Sequence, residues 1–346
     1  MPGKGAGPAE PSSAGRPLKT DGAPASARPN SSRPVKKRML VIVNPYATTV
    51  SDRLRNLVVY ALQGRYDVEA VATQAKNHAT EIGREAIDGG FDLVVAFGGD
   101  GTVNEVANGL AGTDVPVFVL PGGSANVVCR TLGIPSDVVD ATEYLLGLAD
   151  ELKPRNIDLG LANGRRFVFA SGGGLDASAA KGVDARPKLK RRGGPWFYAS
   201  VAVSSFYTEY IRNPVRMSFE SEAGSTEGIT AIVQNSDPYT YFGDRPVRVC
   251  EGAAIDNGTL SVAMLSRARQ RDLPTIATRI LIPRLSTPSH RAVEHFEGVR
   301  EARVTSVSRD DGGAFRPFPV HVDGDHLGDF GELELGVEPG ALTVIT

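Results

Sequence analysis

The stretch VVAFGGDGTVNEVANGL, residues 94–110, places a carboxylate between glycines at the end of an apolar run. The apolar residues predict a buried strand, and the apolar spacing that begins at Val103 predicts a helix. Glycines let backbone N–H groups approach phosphate oxygens closely, and a following helix N-terminus favours an anion. Asp100 would repel such phosphates unless a cation lies between them. We therefore expect Asp100 to organise Mg²⁺ or to contact the hydroxyl that attacks phosphorus; a solvated Asp100 in an ordinary glycine turn is the alternative.

Polar residues and glycines also end the other predicted strands. Asn44 follows RMLVIV, Thr73 ends YDVEAVAT, and Gly122–Ser124 follow VPVFVL. Because ligands bind outside the carboxyl ends of parallel strands, we expect these residues to lie beside Gly98–Thr102. The pattern lacks the third glycine of a dinucleotide fingerprint and the Gly-Lys-Ser/Thr of a Walker A loop.

The order of predicted elements divides the chain into two domains. Up to residue 153, strand-like and helix-like segments alternate, which predicts a parallel sheet with helices on both faces. Beyond it, short strand segments and the turn dipeptide Asn163-Gly164 predict antiparallel β structure. We therefore predict an α/β plus mostly-β fold, with a parallel α/β nucleotide-binding domain at 35–153 and an antiparallel β-sandwich domain at 154–346.

The composition limits the class of protein. The 346 residues exceed one ordinary domain, and the hydrophobic fraction of 41% is that of a globular protein. Two cysteines, Cys129 and Cys250, exclude a disulfide framework and a Cys-rich metal site. Residues 1–34 are rich in Pro, Gly, Ala and Ser, which predicts a disordered basic tail without the apolar core of a signal peptide. No apolar run approaches the ~18 residues of a spanning helix, so a cytoplasmic location is expected.

The motifs taken together resemble those of the diacylglycerol kinase catalytic domain family, which includes bacterial lipid kinases and sphingosine kinases. GGDGTVNEV (98–106) resembles its glycine-rich motif, and PGGSANVVCR (121–130) resembles its second phosphate-binding turn. The resemblance covers roughly residues 38–346, in the family's order. Further segments that take part in it are VNP at 43–45, TQAKNHATEI at 73–82, GGGLDA at 172–177, AAIDNGTLSV at 253–262 and VDGD at 322–325.

The resemblance implies an ATP-dependent lipid kinase that phosphorylates a lipid hydroxyl, foremost that of diacylglycerol. It implies that Asp325 is the general base and that Asp100 holds the Mg²⁺ bound with ATP. The positions that it assigns to ATP binding are Asn44, Thr73, Gly98, Gly99, Asp100, Gly101, Thr102, Asn104, Glu105, Gly122, Gly123 and Ser124. Three alternatives stay open: a kinase of sphingoid bases or other lipids, an NAD kinase-like enzyme with a soluble acceptor, and a catalytically decayed protein that binds nucleotide or lipid.

The chain departs from the family pattern at three places. The first loop, NPYATTVSD, lacks the usual glycine after Asn-Pro, and this weakens the assignment of Asn44. In the second domain, Asp256-Asn257-Gly258 stands where the family has an Asp-Asp-Gly-like turn for a structural Mg²⁺. The neutral amide of Asn257 replaces the carboxylate that would hold the ion, and this weakens the assignment of Asn257 as a metal ligand. Asp325 replaces the usual Glu and is about one methylene shorter. Asp323-Gly324 is also a strong hairpin signal, so a turn without catalytic function is the alternative.

The charge pattern suggests an anionic membrane as a partner. Residues 1–38 carry a net charge of +6 and residues 181–192 one of +5, in a chain of formal net charge −2. Cations followed by Trp196, Phe197 and Tyr198 are typical of a segment that docks on a membrane surface; a basic loop before a buried helix is the alternative. We expect peripheral membrane association and a lipid substrate. No nucleic-acid module is recognisable, so nucleic acid is not expected, and a homodimer stays open.

The histidines show no metal-ligand spacing, and surface or capping roles are expected for them. They are His78, His290, His295, His321 and His326.

Overall fold

A computed structural model describes residues 36–148, 151–267, 269–282 and 284–346; within one helix, the side chains of residues 187, 188 and 190–195 are outside that description. The predicted disordered tail, residues 1–34, lies outside the described residues. We call residues 36–148 the α/β lobe and the described residues from 151 onward the β lobe.

Strands and helices alternate in the α/β lobe, as the sequence predicts. The elements are β1 (Arg38–Val43), α1 (Asp52–Gln63), β2 (Asp67–Ala72), α2 (His78–Asp88), β3 (Leu93–Gly98), α3 (Asp100–Leu110), β4 (Val117–Pro121), α4 (Val127–Thr131) and α5 (Val138–Gly147). Every residue of β3 and β4 is buried, because both faces of these central strands are covered. Ser51 begins α1 as its N-cap, and its Oγ accepts a hydrogen bond from the Leu54 amide at 3.2 Å.

The β lobe consists mainly of antiparallel strands with three α-helices and one π-helical turn in its described part. Its first elements are β5 (Pro154–Ala162), β6 (Arg165–Phe167), β7 (Ala170–Gly174), α6 (Leu175–Asp184), α7 (Pro187–Ser205), a π-helical turn (Phe206–Tyr210), β8 (Met217–Ser221), β9 (Gly224–Gly228) and β10 (Thr230–Gln234). The remaining elements are β11 (Thr240–Phe242), β12 (Arg245–Val247), β13 (Leu260–Leu265), α8 (Asp272–Leu281), β14 (Val293–Val299), β15 (Glu301–Ser306), β16 (Phe318–Val322), β17 (Asp325–Phe330) and β18 (Glu332–Ile345).

Two large sheets organise the described chain. Ten strands form one sheet: eight follow the order β2-β1-β3-β4-β18-β15-β8-β9, β5 pairs with β18, and β6 pairs with β5. The pairs among β1, β2, β3 and β4 are parallel, and Val344 of β18 continues the parallel order beside Val117 of β4. Six strands form the second sheet, in the order β14-β13-β10-β7-β16-β17, with antiparallel pairs. Strands β11 and β12 pair with each other as a separate hairpin.

The antiparallel part of the first sheet packs face to face on the second sheet. Their common core contains Phe219 and Val304 from the first sheet and Val233, Val262 and Val320 from the second. This arrangement is a β-sandwich, which confirms the predicted fold class. None of the helices in the described ranges combines the length and apolarity needed to cross a bilayer.

Both predicted two-residue hairpin turns are present. Asn163 and Gly164 have φ values of +48° and +76°, and Asp323 and Gly324 have φ values of +48° and +81°. Positive φ at both central positions matches the right-handed twist of the flanking strands. The second turn joins β16 to β17 and places Asp325 at the first position of β17.

Candidate active site

The two glycine-rich turns lie against each other at the carboxyl ends of β3 and β4. The Gly122 amide donates a hydrogen bond to the Gly98 carbonyl oxygen at 2.8 Å. A Cβ added to Gly122 would lie 2.9 Å from Gly98 Cα, and one added to Gly123 would lie 2.8 Å from Gly99 Cα. No side chain fits between the turns at these positions. Glycine is therefore required by backbone contact, and the structure brings the two predicted phosphate-binding segments together.

Asn44 and Thr73 lie at the same edge of the sheet. Asn44 Nδ2 donates to Thr102 Oγ1 at 3.0 Å, and the Asn44 amide donates to the Phe97 carbonyl oxygen at 2.9 Å. The Thr73 amide donates to the Val43 carbonyl oxygen at 2.8 Å, and its side chain is buried. Asn44 thus contacts the glycine-rich segment directly, although its own loop lacks the family's glycine.

Asp100 begins α3 and lies in a largely desolvated position. Its Oδ1 accepts a hydrogen bond from the Val128 amide at 3.1 Å. The pKa of Asp100 is raised to about 6, chiefly by burial and also by the charges of Asp323 and Asp325, against the opposing effect of the Val127 and Val128 amides. Asp100 therefore joins the first glycine-rich segment to α4, beside two further carboxylates.

Asp325 reaches the glycine-rich segment from the other lobe. A Cβ added to Gly101 would lie 2.8 Å from Asp325 Oδ2. The β16–β17 turn thus brings its carboxylate against the first turn of α3. The structure brings together the candidate general base and the candidate phosphate loop, which are far apart in the sequence.

Asp323, in the same turn, is buried and forms hydrogen bonds with both lobes. Its carboxylate accepts hydrogen bonds from the Val168, Phe169 and Ala170 amides at 2.7, 2.9 and 3.1 Å. It also accepts one from Asn104 Nδ2 at 2.8 Å. Burial raises the pKa of Asp323, while these donors act in the opposite direction. The four donors hold one end of the turn, so Asp323 orients the segment that carries Asp325.

Asn104 and Glu105, predicted to bind ATP, have side chains engaged in protein contacts. Besides Asp323, Asn104 bonds the Arg166 carbonyl oxygen at 2.8 Å and accepts from Arg165 at 3.0 Å. Glu105 accepts hydrogen bonds from the Asn77 and Ala79 amides at 2.8 and 3.1 Å, at the N-terminus of α2. In the structure, these side chains fix neighbouring loops.

The second phosphate-binding turn has its own internal support. Asn126 Oδ1 accepts from the Gly123 amide at 2.8 Å, and Asn126 Nδ2 donates to the Gly123 carbonyl oxygen at 3.0 Å. Asn126 adopts a left-handed backbone with a φ of +47°. Ser124 is exposed at the tip of this turn.

Asn257 lies apart from these loops, in the turn before β13. Its Nδ2 donates to the Gly252 carbonyl oxygen at 3.0 Å, and its Oδ1 accepts from the Thr259 amide and hydroxyl at 3.0 and 3.2 Å. The side chain is therefore satisfied within the turn. Across the described ranges, no group of three or more His, Cys, Asp or Glu residues is arranged to hold a metal ion.

A buried polar cluster beside the Asp325 turn was not predicted. His321 is fully buried, and its Nε2 lies 2.6 Å from Asp176 Oδ2. The Tyr239 and Tyr198 hydroxyls donate to the Asp176 carboxylate at 2.7 and 3.0 Å. The predicted surface or capping role is thus wrong for His321, because its ring is fully buried and pairs with the Asp176 carboxylate. The GGGLDA motif was the available signal, since it contains Asp176.

Helix α7 presents different aromatic residues to the protein and to solvent. Tyr198 points inward to Asp176, whereas the side chain of Trp196 is 73% exposed. The Trp196 ring contacts that of Phe242 edge to face, with 4.4 Å between centroids. Leu189 and Val203, seven residues to either side of Trp196, are also exposed. The side chains of four predicted docking cations lie outside the described residues: Lys188, Lys190, Arg191 and Arg192.

Two known families match the chain in succession. The diacylglycerol kinase catalytic domain family matches residues 38–160. The family described as the YegS C-terminal NAD kinase beta sandwich-like domain matches residues 170–346, about half of the chain. The order of these matches is that of the α/β lobe and the β lobe.

Individual proteins similar to this chain are also diacylglycerol kinases. A diacylglycerol kinase of Bacillus subtilis is 38% identical over 144 residues, which span 40% of this chain and 46% of that protein. A diacylglycerol kinase of Staphylococcus saprophyticus is 24% identical over 300 residues, which span 85% of this chain and 90% of that protein. A crystal structure of a diacylglycerol kinase from Bacillus anthracis has a TM-score of 0.63 at 20% identity, covering 89% of this chain and 96% of that one. The structural likeness concerns the fold.

Proposed function

This chain belongs to the diacylglycerol kinase catalytic domain family, and from that membership we propose that it is an ATP-dependent lipid kinase that converts diacylglycerol to phosphatidic acid. The observation that carries the proposal is the position of the Asp325 carboxylate, 2.8 Å from where a Cβ of Gly101 would lie. A group able to take a proton is thereby held beside a loop able to hold phosphates.

The reaction requires the two glycine-rich turns and the Asp325 carboxylate. The glycine-rich turns at Gly98–Thr102 and Gly122–Ser124 bind the phosphates of ATP through backbone amides. Asp325 accepts the proton of the lipid hydroxyl as that oxygen forms its bond to the γ-phosphorus. The bond between the γ-phosphorus and the bridging oxygen of ADP breaks in the same displacement, so the products are the phosphorylated lipid, ADP and a proton.

The acidic groups at the site fit a divalent cation. Asp100 lies close enough to Asp323 and Asp325 for their charges to raise its pKa, so a cation would relieve their repulsion. Proteins hold Mg²⁺ with one or two carboxylates together with substrate phosphates, and we assign Asp100 as the carboxylate that would hold it. When bound with ATP, the ion would neutralise charge on the transferring phosphoryl group. The proposal includes no metal at Asn257, because its side chain is satisfied within its own turn.

One assay separates this function from its alternatives. The protein is incubated with Mg²⁺, ATP labelled in the γ-phosphate, and diacylglycerol, sphingosine, ceramide or NAD in parallel reactions. Label on diacylglycerol supports the proposal, label on sphingosine or ceramide supports another lipid acceptor, and label on NAD supports a soluble acceptor. ATP binding without transfer to any acceptor supports a decayed enzyme. Asp325→Asn is the control, because it keeps the side chain's size and removes the base.

We further propose that the enzyme meets its substrate at an anionic membrane through α7. The exposed stripe of Leu189, Trp196 and Val203 offers apolar contact with the lipid boundary. The cations of residues 181–192 add electrostatic attraction, on the order of 1 kcal/mol for each one near the surface. Tyr198, on the inner face of the same helix, bonds Asp176 in the β lobe.

Vesicle sedimentation tests this partner. Replacing Lys188, Lys190, Arg191 and Arg192 together with Gln should weaken binding to anionic vesicles more than tenfold and reduce its salt dependence. The control replaces an equal number of exposed cations outside α7 with Gln: Lys37, Arg53, Arg84 and Arg155. Equal binding by the two quadruple variants would contradict docking through α7.

A further inference from the structure

His321 connects Asp176 to the turn that carries Asp325, and the proposed mechanism gives this connection no role. Its ring is fully buried on β16, two residues before Asp323. Nε2 lies 2.6 Å from Asp176 Oδ2, and Nδ1 lies 3.3 Å from the amide nitrogen of Gly324. Gly324 is the residue between Asp323 and Asp325. The ring therefore bridges the Asp176 carboxylate and the peptide that precedes the candidate base.

The hydrogen bonds define the tautomer of this ring. The Gly324 N–H can only donate, so Nδ1 must be the unprotonated acceptor. Nε2 then carries the proton and donates it to Asp176 Oδ2. Burial would raise the pKa of Asp176, but its pairing with His321 and the hydrogen bonds from two tyrosines outweigh burial and lower that pKa. Asp176 is therefore an ionised anchor for the ring.

The backbone of β7 leaves little room beside the ring. A Cβ added to Gly172, on the neighbouring strand β7, would lie 3.2 Å from His321 Nε2 and 3.5 Å from Asp176 Oδ2. The same Cβ would lie 2.5 Å from the Ala231 carbonyl oxygen. A side chain at position 172 would therefore clash with the Ala231 carbonyl oxygen and crowd His321 Nε2. This contact gives a physical reason for a glycine in the GGGLDA motif.

The turn has two separate points of support. Asp323 is held by three backbone amides and by Asn104. None of these bonds reaches the next peptide, between Asp323 and Gly324, whose N–H donates to His321. Rotation there would change the direction in which β17 begins, and with it the position of Asp325 relative to Gly101.

We propose that His321 is a positioning residue of the kinase reaction: by accepting the Gly324 N–H while anchored on Asp176, it holds the Asp325 carboxylate against the glycine-rich loop. This inference rests on the proposed function, in which Asp325 is the base. His321 acts through the turn and does not touch substrate. A displacement of about 1 Å at a reacting group can cost ~10²-fold in rate, so a small rotation of the turn is enough to matter.

Two substitutions separate the two bonds of the ring. In His321→Asn, the side-chain oxygen lies near the place of Nδ1 and still accepts the Gly324 N–H, but the link to Asp176 is lost. In His321→Gln, the side-chain amide reaches the place of Nε2 and still donates to Asp176, but the acceptor for Gly324 is lost. The inference predicts a kcat that falls about 10- to 100-fold in His321→Gln, with an unchanged KM for ATP. His321→Asn should stay within about threefold of the parent kcat.

His290→Gln is the matched control, because His290 is also buried and uses its ring in the same way. Its Nδ1 accepts the Ala292 amide at 3.2 Å, and its Nε2 pairs with the Thr275 hydroxyl at 3.0 Å. This variant should lose a comparable amount of thermal stability without the loss of kcat. Equal kcat values in His321→Gln and the parent would overturn the inference, and so would equal losses in His321→Gln and His321→Asn.

A second measurement keeps the inference separate from the proposed function. Hydrogen exchange of the Gly324 amide should be about tenfold or more faster in His321→Gln than in His321→Asn, whether or not the protein phosphorylates a lipid. Equal exchange in the two variants overturns the inference even if the parent is active. A parent that transfers no phosphate to any lipid, with the expected difference in exchange, overturns the proposed function and leaves the role of His321 in holding the turn supported.

Discussion

Gly101→Ala should slow the enzyme without weakening its fold. Gly101 is the second residue of α3, and a Cβ added to it would lie 2.8 Å from Asp325 Oδ2. The neighbour that must give way is the end of a side chain and not backbone. The carboxylate of Asp325 therefore moves while the helix and the strand stay in place, and alanine itself is a better helix former than glycine.

The size of the effect follows from the displacement. The alanine Cβ would lie 2.8 Å from Asp325 Oδ2, and an ordinary separation is 3.4 Å, so the carboxylate must move by about 0.6 Å. With ~10²-fold in rate for about 1 Å of misplacement, kcat should fall about 10- to 20-fold. The free energy of unfolding should be unchanged or rise by up to ~1 kcal/mol.

The assay is steady-state phosphotransfer to diacylglycerol, combined with urea unfolding of the same preparations. Gly147→Ala is the control, because Gly147 ends α5 and a Cβ there would meet nothing within 4 Å. It should change stability by a similar small amount and leave kcat at the parent value. The KM for ATP should stay near the parent value in both variants.

A double variant gives the decisive comparison. Asp325→Asn already lacks the base and should be slower than the parent by about 10²- to 10⁴-fold. Adding Gly101→Ala to it should produce little further loss, since no base remains to be displaced. The reasoning is refuted if Gly101→Ala costs the same factor in both backgrounds, or if the single variant turns over at the parent rate.

Three further predictions concern the same carboxylates and the loop beside them. Asp325→Glu should lower kcat, because the carboxylate is already against Gly101 and a longer side chain would crowd it; a higher kcat would mean that Asp325 is too short for its task. The folded-state pKa of Asp100, raised to about 6, stabilises the parent below pH 3.8, and this stabilisation is lost as the pH rises through 6. Asp100→Asn does not titrate, so its free energy of unfolding should rise relative to that of the parent between about pH 4 and pH 6, by about 3 kcal/mol in urea unfolding. Parallel pH profiles would contradict this. Glu105→Gln should lower the free energy of unfolding by about 1–3 kcal/mol, because one of the Asn77 and Ala79 amides loses its acceptor, and no loss in urea unfolding would argue against the cap.

The elements of the α/β lobe could be predicted because their signals are local. Apolar runs such as Leu93–Gly98 are buried on both faces, and the glycines that follow them lie at strand ends. The positive φ values of Asp323 and Gly324 were likewise predictable from a dipeptide suited to such a turn. Helix α6 was missed, because its small residues follow a glycine-rich strand without a clear apolar period.

The contacts that complete the candidate site could not be predicted, because they join segments distant in the sequence. Nothing near Glu105 indicates that its carboxylate caps α2, and nothing near His321 indicates Asp176 as its partner. The pKa of Asp100 depends on burial and on carboxylates of the other lobe, which no local pattern contains. The resemblance to a family supplied positions for Glu105 and Asp100 but none for His321, and the packing of distant segments supplies their partners.

The position of β18 has a consequence for how the chain acquires its fold. Val344 pairs with Val117 of β4, so a late segment of the chain completes the sheet begun by the earliest strands. Until β18 arrives, β4 has an open edge, and such edges are where chains pair wrongly with one another. The α/β lobe expressed without the β lobe should therefore aggregate, and folding of the whole chain should be slow, since its central sheet depends on a contact between distant parts of the chain.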